Sequence, residues 1–98
     1  MKKYTLDEFI ETLMSFEEKY SGCAEWDDFE KCMCFYVHLD DEGNLLHSIQ
    51  GEETGFAVRW LLSPEEAEIY YNGKLEDQER EFIREEVYPE YLNALEEL

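Results

Sequence analysis

The chain has 98 residues, 26 acidic and 8 basic, for a net charge of −18, with 44% apolar residues and fifteen aromatics. That size predicts a single domain over residues 1–98, and burial of each large side chain contributes roughly 1.5–3 kcal/mol, which argues against disorder. An anionic body is repelled by nucleic acid and anionic membranes and attracted to basic proteins, although charge of this kind also serves solubility alone.

The charge is carried by the whole body. Residues 1–49 give −8 (4 basic, 12 acidic) and residues 50–98 give −10 (4 basic, 14 acidic). The opening MKKYTLDEFI has two lysines with no apolar run behind them, and nowhere do eighteen apolar residues follow one another. The expectation is therefore no signal peptide, no membrane span and a cytoplasmic location. Cys23, Cys32 and Cys34, an odd number, read as reduced thiols.

In chain order, Thr5 and Glu8 form a capping box, and Tyr4 and Phe9 a hydrophobic staple, at the start of a helix. Its apolar stripe is Leu6, Phe9, Ile10, Leu13, Phe16 and Tyr20, with Gly22 as a left-handed stop and Asp7, Glu11 and Glu18 on the outer face. The acidic stretch CAEWDDFE has no clear assignment. KCMCFYVHL then alternates strictly: Met33, Phe35, Val37 and Leu39 on one face, Cys32, Cys34, Tyr36 and His38 on the other. DDEGN reads as a turn, LLHSIQ as a strand, GEETG as a turn and FAVRWLL as a strand, which predicts a three-stranded antiparallel meander.

Ser63-Pro64-Glu65-Glu66 starts a short helix that Asn72-Gly73 ends. In the last segment Ile83, Val87, Tyr91 and Leu95 form a seam expected to be buried, with Glu79, Glu86, Glu90 and Glu97 in a row beside it. Pro89 either bends this segment or begins a second helix. The predicted class is α+β, in the order α-β-β-β-α-α, with the sheet packed against the helices.

Residue chemistry disfavours catalysis. Cys32 and His38 stand about 20 Å apart along a strand, and C-x-C without a second pair falls short of a zinc spacing, so no metal and no cofactor is expected. The cysteines lack the basic neighbours or helix N-terminus that would favour a thiolate. His47, between Leu45 and Ile49, reads as a structural histidine, no carboxylate pair stands out, and no Gly-rich phosphate loop occurs. The expectation is a protein that is not an enzyme. Direct nucleic-acid binding is disfavoured too, because the basic residues are scattered and Arg80 and Arg84 lie near Glu76, Asp77 and Glu81.

What remains is the acidic surface. Rows such as Asp77-Glu81-Glu85 repeat a carboxylate about every 6 Å along a helix, at a small cost in like-charge repulsion. Residues 76–98 carry −7 (2 basic, 9 acidic) over roughly 34 Å of helix, about one charge per 5 Å against one per ~1.7 Å in duplex DNA. One helix is too dilute to imitate a duplex, so several elements would have to contribute. The candidate partner-binding residues are Asp77, Glu79, Glu81, Glu85, Glu86 and Glu90, joined by Asp40, Asp41 and Glu42 of the first hairpin turn and the Glu52-Glu53 turn.

In size, charge and element order the chain resembles phage-type anti-CRISPR proteins, the very acidic inhibitors of Cas9 in which a helix, a three-stranded antiparallel sheet and two further helices follow one another. The resemblance spans nearly the whole chain and includes no shared motif, so no residue role is carried over. It implies a non-enzymatic inhibitor that occupies a basic DNA-binding or PAM-reading site on a CRISPR effector nuclease. Two other readings stay open: an immunity or antitoxin-like protein that sequesters a basic toxin or nuclease, anchored by a patch such as Tyr70, Tyr71, Tyr88 and Tyr91, and a housekeeping interaction domain.

Overall fold

The computed structural model describes residues 1–20, 25–48 and 55–98. Gly22, Cys23, Ile49 and the GEETG turn with Glu52-Glu53 fall wholly or in part outside them. Helix α1 spans Leu6–Lys19, and both halves of its capping box form: Thr5 Oγ1 accepts from the Glu8 N–H and Glu8 Oε1 from the Thr5 N–H. Of the predicted stripe Phe9, Ile10 and Leu13 are buried and Leu6 and Phe16 partly so, whereas Tyr20, at the helix end, is exposed.

The sheet has four strands: β1 (Glu25–Asp27), β2 (Cys32–Leu39), β3 (Leu45–Ser48) and β4 (Gly55–Leu61). All pairings are antiparallel, but the order is not a meander. β2 lies in the middle, with β1 and then β3 along one edge and β4 along the other. Seven residue pairs join β4 to β2, whereas β3 is four residues long. β1 is the added element, drawn from the unassigned acidic stretch. The Asp27 carboxylate accepts from the Phe29 and Glu30 N–H groups and turns the chain back, while Trp26 packs against the Met33 and Trp60 cluster.

The Met33-Phe35-Val37-Leu39 face is buried as read from its alternation, and α1 and the C-terminal helices cover it. Helix α2 (Pro64–Tyr71) has the second capping box, between Ser63 and Glu66, and ends where Gly73 adopts φ +73°. Helix α3 (Glu76–Phe82) runs through a π-turn (Ile83–Val87) into α4 (Tyr88–Glu96). The Tyr88 N–H donates to the Ile83 carbonyl five residues back. That wider turn places Pro89 in the first turn of α4, where a missing N–H leaves no bond unmade. Pro89 thus begins a helical piece of its own without a loop before it. Ile83, Val87 and Tyr91 are buried and Leu95 is packed against them.

Three tyrosines tie the ends of the chain together. The Tyr4 N–H donates to Tyr91 Oη at 2.8 Å, Tyr88 Oη donates to the Tyr4 carbonyl at 3.1 Å, and Tyr4 Oη accepts from the Leu45 N–H at 3.1 Å. The turn after β2 is a three-residue hairpin loop with Gly43 in the left-handed region, φ +84°. A Cβ there would lie 2.5 Å from the Lys2 carbonyl oxygen, whereas one at Gly73 would meet open space. Gly43→Ala is therefore expected to lose about 1–3 kcal/mol in denaturant melts, and Gly73→Ala only about 1 kcal/mol. Equal losses would show that the close approach to Lys2 is not felt.

Candidate acidic interface

Seven of the nine candidate carboxylates are exposed: Asp77 on α3, Glu81 at its end, Glu85 and Glu86 on the π-turn, Glu90 on α4, and Asp41 and Glu42 in the hairpin turn. Asp40 is half-buried and spent within its own loop. Its carboxylate accepts from the Asn44 N–H at 2.8 Å, the Glu42 N–H at 2.9 Å and the Asn44 side-chain amide at 3.0 Å. The Asn44 backbone bond above all, followed by that side chain, lowers its pKa. Asp40 stays ionised but its carboxylate is committed to shaping the turn.

Glu79 departs from the expectation outright. It is 7% exposed and faces the interior, so it cannot meet a partner. The helical period explains this, because Glu79 lies four residues before Ile83 and extends the Ile83-Val87-Tyr91 seam by one turn. It meets Glu17 of α1. Tyr70 of α2 donates to Glu17, and its hydroxyl lies 3.4 Å from Glu79. Burial first, then the hydrogen bond and charge of Glu17, push the Glu79 pKa up to about 10. Burial also raises that of Glu17, while the bond from Glu79 lowers it. Glu79 therefore keeps its proton at neutral pH beside Glu17, whose Oε2 is buried with no hydrogen-bond partner among the described residues. With Tyr70 the pair joins three helices. Both residues sit in the wall of a cleft of about 480 Å³ between α1 and α3. Arg80 at its rim is bound by Glu11 and, at 3.2 Å, by Glu76, so part of the α3 charge is neutralised.

Four of the exposed acids line two separate clefts. Glu86 and Glu90 line a cleft of about 420 Å³ between the π-turn, α4 and the outer edge of β4, where Phe82 and Val87 form an apolar floor. Asp41 and Glu42 line another, with Lys2 beside them. The aromatic patch dissolves: Tyr91 is fully buried, Tyr88 and Tyr70 are tied into the fold, and only Tyr71 is exposed, at 62%.

Burial raises the pKa of both described thiols, Cys32 and Cys34, which opposes thiolate chemistry. Cys23 lies outside the described residues. Among those residues no group of three His, Cys, Asp or Glu side chains is placed to hold a metal ion. His47 stacks on Tyr20 with ring centroids 4.6 Å apart. No helix among the described residues is long and apolar enough to cross a membrane.

No family model, curated protein or solved structure matches the chain. Function must then be read from charge, shape and exposed surface. The acidic rows were visible in the sequence, but the Glu17–Glu79 pair was missed, although both residues continue apolar seams at helical spacing: Glu17 follows Leu13 by four and Glu79 precedes Ile83 by four.

Proposed function

We propose that this protein is a non-enzymatic binding protein that occupies the basic nucleic-acid site of a partner protein, in the manner of a DNA-mimicking anti-CRISPR inhibitor. Charge per unit length supports this reading most directly. The body is 40 Å long and, with Glu79 protonated, its formal −18 becomes −17, so 40/17 gives one net charge per about 2.4 Å, near the ~1.7 Å of duplex DNA. The density that one helix lacks is available to the body as a whole. Exposed Asp77, Glu81, Glu85, Glu86 and Glu90 supply the helical side of it.

Charge of this kind acts mainly on encounter. Glu81→Lys with Glu86→Lys and Glu90→Lys should slow association with a Cas9-type nuclease by about tenfold at low salt and flatten its salt dependence, with the fold intact. The measurement is nuclease inhibition at two ionic strengths, with target DNA added before or after the protein. Inhibition lost when DNA binds first supports mimicry; equal inhibition by both proteins, or none by either, sinks it.

A dedicated partner of the immunity or antitoxin type is the second reading. It is favoured by Phe29, 94% exposed at the β1–β2 turn, and Leu61, 71% exposed on β4, which could anchor a protein surface. Binding undisturbed by DNA would select it.

A further inference from the structure

We propose that the free edge of β4 docks an extended, lysine- or arginine-bearing segment of a partner protein, which joins the sheet as a further strand. The proposal rests on the reading that the partner is basic, and adds where and how it is held.

The orientation of the β4 amides follows from the hairpin. The Asp40 N–H donates to the Asn44 carbonyl at 3.0 Å, so Asp40 turns its backbone groups toward β3. Backbone groups alternate sides along an antiparallel strand. His38 and Tyr36 therefore face β3, while Val37, Phe35 and Met33 face β4. Their β4 partners are Phe56, Val58 and Trp60, which leaves the N–H and C=O groups of Ala57 and Arg59 pointing to the other edge. Among the described residues no strand pairs with that edge.

Edges of this length are normally blunted by proline, a bulge or an inward-pointing charge. β4 has no proline, and its register against β2 is unbroken over seven pairs. Its one charged side chain, Arg59, lies on the face of Cys34 and is engaged by Glu30 at 3.3 Å. Beside the edge lies the 420 Å³ cleft with its Phe82 and Val87 floor, a volume in the range of ligand clefts.

Charge selects the occupant. Glu86 and Glu90, both exposed in this cleft, are four residues apart, about 6 Å along a helix. Side chains on one face of a strand repeat every ~6.6 Å. An added strand with basic residues at alternate positions would set one opposite each carboxylate, over an apolar floor. A second copy of this chain would instead bring another −18 body and its own Glu86 and Glu90 to the edge. Strand addition supplies affinity through main-chain bonds and specificity through alternate side chains.

The probe is a blocked peptide alternating lysine and valine, as long as β4, with a glutamate-valine peptide as control. Amide exchange is followed residue by residue by NMR. The lysine peptide should slow exchange at Ala57 and Arg59 by about tenfold or more while leaving Val58, already paired, unchanged. Glu86→Lys with Glu90→Lys should weaken binding by about tenfold, and Ala57→Pro should abolish it. The exchange result on the unaltered chain decides the matter even if the proline variant fails to fold. Binding without protection of these amides overturns strand addition but leaves the basic partner standing. Equal protection by the glutamate peptide overturns the charge selection, and with it the basic partner. No binding overturns the proposal, as does protection that grows with protein concentration alone, which would make the occupant a second copy.

Discussion

Tyr91→Ala should lower the free energy of unfolding by about 3–5 kcal/mol, the range for removing a fully buried aromatic side chain. Tyr91 is wholly enclosed. Its ring stacks on Phe9 with centroids 4.8 Å apart and meets the edge of Tyr4 at 6.0 Å. Tyr91→Phe separates packing from polarity. It keeps the ring but leaves the Tyr4 N–H unpaired in the interior, which should cost about 1–3 kcal/mol. Denaturant titration of both variants measures the two parts. A loss below about 1 kcal/mol for the alanine variant would mean that α4 is not docked on α1 in solution.

The second large effect is a dependence on pH. Glu79 has an ordinary value of 4.5 and a folded value of about 10. Between these, the folded chain holds a proton that the unfolded chain has released. Its contribution is complete below about pH 4.5 and is lost as pH rises toward 10. Glu17, Glu76, Arg80 and Tyr70 surround it, and only Arg80 opposes the shift. Glu79→Gln keeps a donor toward Glu17 and cannot ionise. It should match the wild type near pH 4 and exceed it at pH 8 by on the order of 2 kcal/mol. Thermal or denaturant melts across this range test the difference between the two proteins, which cancels the general repulsion of a −18 body. Parallel curves would show that Glu79 ionises freely.

What the sequence made legible was mostly local. Thr5 with Glu8 and Ser63 with Glu66 mark two helix starts because the bonding partners lie three residues apart. The β2 alternation and the Ile83-Val87-Tyr91 seam are likewise readable, since a buried face imposes its own period. Strand order was not legible: β4 follows β3 in sequence, yet it pairs with β2, a long-range choice that no local period encodes. β1 is three residues with two acids and gave no period to read. Glu79 was misplaced because its charge outweighed its position, although a neighbouring carboxyl and a shared proton make its burial tolerable. The exposed acids were identifiable by type, but the grouping of Glu86 with Glu90 in one cleft and Asp41 with Glu42 in another depends on tertiary placement.

The tyrosine tie between Tyr4 and Tyr91 has a consequence for biosynthesis. The apolar face of α1 is translated before the C-terminal helices that cover it. The 82 residues from Phe9 to Tyr91 take roughly 4–16 s to add at about 5–20 residues per second. Throughout that interval Phe9, Ile10 and Leu13 lack their final cover. The growing segment reaches −8 by residue 49 and −16 by residue 91, so neighbouring chains on one message repel each other increasingly while those surfaces wait. Negative charge thus opposes association between growing chains for as long as the α1 face is uncovered.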